Sequence, residues 1–284
     1  MPITFTGTYG QNFDGLASSG TNNPWTNDGT LPGWHLFRQP SASPVAITSY
    51  NADTGAANSG NFLSYGSSGS SDRGLGGLAS GGAYFGSPAS GSVAGWFALA
   101  LSNATAAPIT NLAIAFNGEQ WRNGGNTTAQ TMVLEYGYGA SFDQVATWTA
   151  PGGNFNWASP VATATAAAVD GNNAGRAGNL GGTLNLSASP WAATTTLWLR
   201  WTENNDSGND HGLAIDDLTI TTVQAPAQPE VAIQAIVAQA GEFGGSASVR
   251  ISRTGSTADA LTVPISLSSG GLADNTDLTA PLPA

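Results

Sequence analysis

The stretch at residues 195–202, TTLWLRWT, decides the fold class of this chain. Leu197, Leu199 and Trp201 occupy every second position, so in a β-strand they share one face, while Trp198, Arg200 and Thr202 take the other. An apolar face opposite a partly polar one is typical of a strand that packs one side into the core of a sandwich. The stretch therefore predicts a sandwich strand with an accessible outer face.

Similar short alternating runs recur between clusters of Gly, Asn and Pro, and no long window shows helical periodicity. The runs at residues 93–101, 112–116, 131–138 and 213–222 are predicted strands. Residues 162–169 are rich in Ala but alternate with Thr, which leaves a helix and an edge strand both open. We predict an all-β chain.

The predicted strand at residues 213–222 changes phase in its middle. Its apolar side chains before Asp216 have one parity, and those after Asp217 have the other. A β-bulge adds one residue to a strand and so restores the phase. We predict a bulge at these two aspartates.

Composition and charge exclude several classes of function. The chain has 7 Arg, no Lys and 18 acidic residues, for a net charge of −11, and it has no Cys. Binding to a nucleic-acid backbone needs clustered basic residues, so we expect no nucleic-acid partner. No apolar stretch is long enough to span a membrane, and no disulfide can form. We expect an extracellular or cell-surface location.

The composition changes after Val223. Residues 224–229, QAPAQP, have the pattern of a stiff extended linker. The linker predicts one domain at residues 1–223 and a second at residues 230–284. The second is too short to complete a sandwich and would expose sheet edges. We expect the chain to be part of a longer protein, or to self-associate through its C-terminal strands.

The tail carries a set of motifs: PEV at residues 229–231, AGEFGG at 240–245, SVRISRTGS at 248–256 and LTV at 261–263. With these motifs it resembles the first half of a Calx-beta domain. The resemblance implies an incomplete immunoglobulin-like sandwich. In bacterial surface proteins such domains serve as tandem spacers, and some members bind calcium.

The body has its own motifs: TGTYGQNFDGL at residues 6–16, LPGW at 31–34, NGEQWRN at 117–123, LWLRW at 197–201 and LAIDDL at 213–218. They resemble those of an N-terminal jelly-roll module of large secreted or surface-anchored bacterial proteins, cyanobacterial ones among them. The opening FDG and the closing IDD are also similar to carbohydrate-binding jelly rolls. In those modules, acids of the two terminal strands often hold a structural calcium.

The densest polar cluster is ENNDSGNDHG at residues 203–212, closely followed by two adjacent aspartates. Calcium takes six to eight oxygen ligands, and adjacent carboxylates repel unless a cation compensates them. A solvated loop with Asx-turns is the alternative. We favour a structural Ca²⁺ site. Its predicted ligands are Asp14, Asp206, Asp210, Asp216 and Asp217.

A second cluster offers groups that recognise sugars. The predicted ligand-binding residues are Trp34, Glu119, Trp121 and Arg122, and Trp148, Trp157 and Trp198 can extend the same platform. The alternative, which we favour, is that the Trp side chains are partly buried packing residues. In that interpretation, Glu119 and Arg122 form an ion pair at the end of a strand.

Together these features favour a non-catalytic module for attachment or for recognition of a polysaccharide or cell-surface glycan. One alternative is a polysaccharide hydrolase that uses Glu119 with Glu135 or Glu203, because glycoside cleavage needs two facing carboxyl groups. No sequence motif specifies either pair, and no catalytic residue is assigned. Another alternative is a filament or surface-layer subunit that assembles through the incomplete C-terminal sandwich.

Overall fold

The computed structural model describes residues 1–39, 43–223, 230–237, 248–255 and 260–264. Contacts divide the chain into two units, residues 1–223 and 224–284, which are described separately. Across the described residues the structure is almost entirely β, which confirms the all-β prediction. The described part of the chain holds no helix that is long and apolar enough to cross a membrane.

The described residues form eighteen strands. In chain order they are β1 (Ile3–Phe5), β2 (Thr8–Gln11), β3 (Asn23–Pro24), β4 (Trp34–Arg38), β5 (Val45–Ala46), β6 (Ser49–Asp53), β7 (Asn61–Tyr65), β8 (Gly74–Leu78), β9 (Ser92–Asn103), β10 (Asn111–Asn123), β11 (Thr131–Tyr138), β12 (Trp157–Ala158), β13 (Ala167–Ala168), β14 (Arg176–Asn185), β15 (Thr196–Asn205), β16 (Gly212–Thr222), β17 (Glu230–Val237) and β18 (Ser248–Thr254). Short 3₁₀-helices lie at Ala83–Phe85, Phe142–Gln144 and Gly153–Phe155.

Two sheets form the first unit. The first sheet has the order β12-β11-β15-β9-β4-β5, with β1 paired to β9. The second has the order β13-β10-β16-β8-β7-β6-β3, with β14 paired to β10 and β2 paired to β16. One hydrophobic core draws buried side chains from both sheets, as in a β-sandwich.

Aromatic rings fill the centre of this core. The Trp201 ring stacks with both Trp34 and Phe97, at a centroid distance of 5.8 Å in each case, and meets Phe116 of the second sheet edge-on at 5.8 Å. Trp201 and Trp34 are both 0% exposed. Burial of such large rings removes apolar surface from water and so stabilises the sandwich.

The predicted strands of the body are present. The prediction at residues 131–138 coincides with β11, and the deciding stretch at residues 195–202 forms most of β15. Its Leu and Trp face at 197, 199 and 201 is fully buried in the core. In residues 162–169, left open between helix and strand, the ordered element is the two-residue strand β13.

The predicted bulge is confirmed. Ala115 pairs with Thr219, but Asn117 pairs with Asp216, so β16 contains one residue more than β10 over this interval. Asp217 adopts the left-handed conformation, with φ at 51°. Because of this extra residue, the apolar side chains before and after the two aspartates all reach the core.

The second unit is described as a two-stranded antiparallel hairpin of β17 and β18. The predicted strands at residues 231–233 and 247–251 lie largely within it. The third predicted strand, at residues 261–265, is wrong where it is described, because residues 261–264 form no strand. The linker at residues 224–229 and the AGEFGG motif at 240–245 lie outside the described residues.

Candidate functional site

The polar cluster of residues 203–212 covers the end of β15, the turn that follows it and the first residue of β16, at one end of the sandwich. Within it, the Asp206 N–H donates to Asp210 Oδ1 at 2.7 Å. The Asn126 side-chain amide donates to the Ser207 carbonyl at 2.9 Å and to the Asn209 carbonyl at 3.1 Å. The turn is thus fixed both internally and from a neighbouring segment.

His211 anchors the start of β16. It is 1% exposed, and its Nδ1 accepts the Gly124 N–H at 3.0 Å. Its Nε2 lies 3.3 Å from the Thr128 carbonyl oxygen, which fits a neutral ring protonated at Nε2. Burial lowers the pKa of His211, although the Thr128 carbonyl opposes this shift. The histidine therefore has a structural role.

A polar cleft of about 430 Å³ lies beside this turn. It brings together one residue from each candidate set, since Arg122 and Asp210 both line it. Arg122 is held by its Nη1, which donates to the carbonyls of Gly55 and Ala56 at 3.1 Å each. The other polar side chains of the lining are Asn58, Ser80, Asn205 and Asn209.

Two buried carboxyl groups lie at this end of the sandwich. Glu203 continues the core-facing side of β15, is 4% exposed, and accepts the Ala79 N–H at 3.0 Å. Burial raises the pKa of Glu203 well above its ordinary value, and the charges of Asp210 and Asp206 raise it further. Burial also raises the pKa of Asp210 to about 7. These groups retain protons at pH values where an exposed acid is ionised.

A second acidic group surrounds the bulge. Asp216 is 3% exposed, and its Oδ1 accepts the Asp217 N–H at 2.7 Å. Asp217 Oδ2 accepts the Asn117 side-chain amide at 2.8 Å, and Asp14 Oδ1 accepts the Arg73 N–H at 3.2 Å. Burial raises the pKa of Asp216 to about 8, and the nearby carboxylates, that of Glu119 foremost, add to the shift.

The five predicted calcium ligands therefore fall into two sets. Asp206 and Asp210 precede β16, whereas Asp14 lies near the bulge that holds Asp216 and Asp217. Because an extended strand rises about 3.3 Å per residue, the two sets are on the order of 15 Å apart. Among the residues that the structure describes, no group of three or more His, Cys, Asp or Glu side chains is placed to hold a metal ion. Calcium binding stays a prediction.

The predicted aromatic platform is wrong for most of its members. Trp34 is 0% exposed and donates from Nε1 to the Tyr9 hydroxyl at 2.8 Å. Glu119 and Trp121 are each 2% exposed and are bonded to each other, Nε1 to Oε2, at 2.8 Å. The packing interpretation is correct for these Trp side chains, and of the four predicted residues only Arg122 reaches the cleft.

The remaining members of the platform are also packed. Trp157 and Trp198 are 4% and 3% exposed. Trp148 is half-buried beneath the Arg200 guanidinium, which lies 3.9 Å from its ring centroid. Trp157 belongs to the core between the sheets, whereas Trp148 and Trp198 pack in a separate, smaller cluster, so these rings do not form one continuous sugar-stacking surface.

The predicted ion pair between Glu119 and Arg122 is absent from the described hydrogen bonds and salt bridges. Glu119 instead accepts from Trp121, and Arg122 donates to backbone carbonyls. β10 is not regular between the two residues, because its register against β16 shifts between Gln120 and Arg122. Each side chain has hydrogen-bond partners of its own in place of the predicted pair.

The predicted hydrolase pairs do not face each other either. Glu135 lies on the first sheet, where its Oε2 accepts from Arg200 Nε at 2.7 Å. Glu119 is on the second sheet beside Trp121, and Glu203 points into the sandwich. The carboxyl groups that interact electrostatically with Glu119 are those of Asp72, Asp216 and Asp217, and the pairing of Asn117 with Asp216 on neighbouring strands brings the last two towards it. Sequence reasoning missed this cluster because it depends on strand register.

Comparison with protein-family models and a search of curated proteins both found no match to this chain.

Proposed function

We propose that this chain is a non-catalytic extracellular or cell-surface module that recognises a polysaccharide or cell-surface glycan in the polar cleft. The observation that carries the proposal is the chemistry of the cleft lining. Amide, hydroxyl and guanidinium groups converge on one concave space of about 430 Å³. That volume is within the range of roughly 300–1,000 Å³ typical of small-molecule sites.

The lining suits a ligand rich in hydroxyl groups. Side-chain amides such as Asn58 and Asn209 both donate and accept hydrogen bonds, and so do sugar hydroxyls. Arg122 adds N–H donors, while Asp210 adds an acceptor when it is ionised. Leu78 and Ala79 contribute only a small apolar area. We therefore expect hydrogen bonding, more than ring stacking, to set the specificity.

The cleft does not favour hydrolysis. Cleavage of a glycosidic bond requires two carboxyl groups on either side of the bond, about 5–9.5 Å apart. Among the described lining residues, Asp210 is the acid. Glu203 is buried behind the lining, where it accepts the Ala79 N–H. This arrangement favours binding without turnover.

The test is a pull-down of the chain on a panel of insoluble polysaccharides, followed by a binding titration on any that retain it. Asn58→Ala and Asn209→Ala remove exposed amides of the lining. Each is expected to weaken binding about threefold to tenfold, the effect of one hydrogen bond. Asn185→Ala removes an exposed amide on β14, away from the cleft, and is the matched control.

Two outcomes contradict the proposal. Equal binding by the cleft variants and the control places the glycan elsewhere, and release of reducing sugar that Glu119→Gln abolishes makes the chain an enzyme. The jelly-roll and Calx-beta resemblances support the proposal only by analogy. Structural calcium is part of it, but recognition in the cleft does not depend on an ion.

Self-association is a second candidate function, favoured by the hairpin of the second unit. Its apolar side chains are exposed on both strands: Ile233 is 61% exposed, Ile236 52%, Val249 62% and Ile251 43%. An isolated two-stranded hairpin is marginal in water, and large exposed apolar surfaces commonly mark interaction sites. Size-exclusion chromatography of the full chain and of residues 1–223 tests this. We expect association of the full chain alone, and a strictly monomeric full chain contradicts it.

A further inference from the structure

A second cavity lies on the outer face of the first sheet, among aromatic rings. It has a volume of about 400 Å³ and is lined by His35 and Phe37 of β4, Trp198 of β15, and Phe142 of a 3₁₀-helix. Asp143 also lines it. This aromatic cavity is separate from the polar cleft and has the opposite chemistry.

The rings hold each other in place. Phe37 and Phe142 stack with centroids 4.2 Å apart, and Phe142 meets Trp198 edge-on at 5.6 Å. The His35 ring completes the set, with its centroid 4.9 Å from that of Trp198 and 5.9 Å from that of Phe37. Trp198 is further fixed by its Nε1, which donates to the Gly139 carbonyl at 3.0 Å. These contacts define the wall of the cavity in the absence of a ligand.

On the same face of the sheet the guanidinium of Arg200, which is paired with Glu135, lies over aromatic rings. The Arg200 guanidinium lies 4.6 Å from the Trp96 centroid, 3.9 Å from that of Trp148 and 5.8 Å from that of Phe142. Aromatic faces carry negative electrostatic potential, which attracts positive charge. Phe142 is shared between this arginine stack and the aromatic cavity.

The charges around the cavity also favour a cation. Asp143 supplies a carboxylate at the rim, and the amino group of Met1, another lining residue, is paired with Asp28. Burial lowers the pKa of His35 to about 4, with a smaller contribution from the amino-terminal charge, so the imidazole is neutral at pH 7. An anion would meet aromatic faces and a carboxylate together.

We propose that the aromatic cavity binds a small quaternary ammonium compound whose remaining part is uncharged, of the choline type. A primary ammonium forms strong hydrogen bonds with water and would lose them against ring faces, whereas a methylated ammonium donates none. A phosphate next to the ammonium group would be repelled by Asp143. The occupant is therefore a free small molecule and not a phospholipid head group.

The test is isothermal titration of the full chain with choline chloride, at constant ionic strength, beside 3,3-dimethyl-1-butanol, which has the same shape and no charge. Choline is expected to bind at least about fivefold more tightly than the neutral alcohol, the effect of a cation over aromatic rings. Equal affinity for the two compounds, or no heat with choline at tens of millimolar, overturns the proposal. Phosphocholine is expected to bind more weakly than choline, and tighter binding overturns the choice of ligand.

Two variants locate the site. Asp143→Asn removes the rim charge at an exposed position and is expected to weaken choline binding about twofold to fivefold without changing binding of the alcohol. Asp170→Asn makes the same charge change at an exposed position outside the cavity and is the control. Phe37→Leu keeps apolar volume but removes a ring, so the preference for choline over the alcohol should fall. An unchanged preference in both cavity variants overturns the assignment.

Discussion

Replacing Asp216 by Asn is expected to stabilise the protein at about pH 8 and to have little effect at about pH 4. Asp216 is 3% exposed in the bulge of β16, close to the 2% exposed Glu119. Two desolvated carboxyl groups cannot both ionise there without a large loss of free energy. In the native protein Asp216 Oδ1 accepts a hydrogen bond from the Asp217 N–H. Asn at this position removes the charge but keeps an oxygen that can accept the same bond.

The sign follows from proton binding in the two states. Asp216 has an ordinary pKa of 3.8, and burial in the folded protein raises its pKa to about 8. Between these values the folded state keeps a proton that the unfolded state has lost, so the free energy of unfolding falls as the pH rises. Below about pH 4 both states are protonated, and the substitution gives no advantage.

The magnitude has an upper bound set by the pKa difference. The shift of Asp216 from 3.8 to about 8 corresponds to at most about 5–6 kcal/mol, at 1.36 kcal/mol for each pH unit. Glu119 shares the same desolvated site, with its pKa raised to about 7 by burial, and local entry of water lowers the penalty further. We expect a gain of about 2 kcal/mol at pH 8. For a domain of this size that is a rise in Tm of about 4–8 °C.

The assay is thermal unfolding followed by circular dichroism at both pH values, in the presence of EGTA so that no cation neutralises the pair. Asp170→Asn removes an exposed carboxylate and is the control, for which we expect no pH-dependent gain. An equal shift in Tm for Asp216→Asn at pH 4 and pH 8, or a loss of stability at pH 8, would show that the buried charge of Asp216 does not destabilise the folded state.

Two other predictions concern calcium and the packing of strands. Millimolar Ca²⁺ is expected to raise the Tm above its value in EGTA. At a Ca²⁺ concentration ten times the Kd, the free energy of unfolding rises by about 1.4 kcal/mol. An unchanged Tm would make the calcium prediction wrong. Gly76→Ala is expected to cost about 3 kcal/mol in urea unfolding, because its Cβ would lie 1.9 Å from the Leu213 carbonyl oxygen. A nearly neutral result would contradict the close pairing of β8 with β16.

The strands of the body could be predicted because local alternation determines which side chains are buried. Leu197, Leu199 and Trp201 share a face in the sequence and share the core in the structure. The change of phase at Asp216 and Asp217 predicts one extra residue in this strand. The pairing of β10 with β16 shows that β16 has this extra residue. Both features depend only on residues that are neighbours in the chain.

The candidate site could be predicted only in part, because it depends on contacts between distant residues. The cleft joins Asn58, Arg122 and Asp210, which come from three separate segments of the chain. In the sequence, Trp121 is a candidate for stacking on a sugar ring. In the structure its ring stacks on Tyr65, with the centroids 6.1 Å apart, and is buried. Composition identifies the residue types that recognise sugars, but the packing of the sheets decides which of them stay accessible.

The most direct test of glycan recognition is a map of backbone amide shifts, by NMR, as the best-retained soluble glycan is titrated into the chain. We expect the largest shifts at the cleft, around Asn58, Gly81, Gly124 and Asn209. We expect little change at the exposed β16 residues Thr219 and Thr221, on another part of the surface. Shifts centred on those threonines, or no saturable shifts with any glycan, would contradict glycan recognition in the cleft.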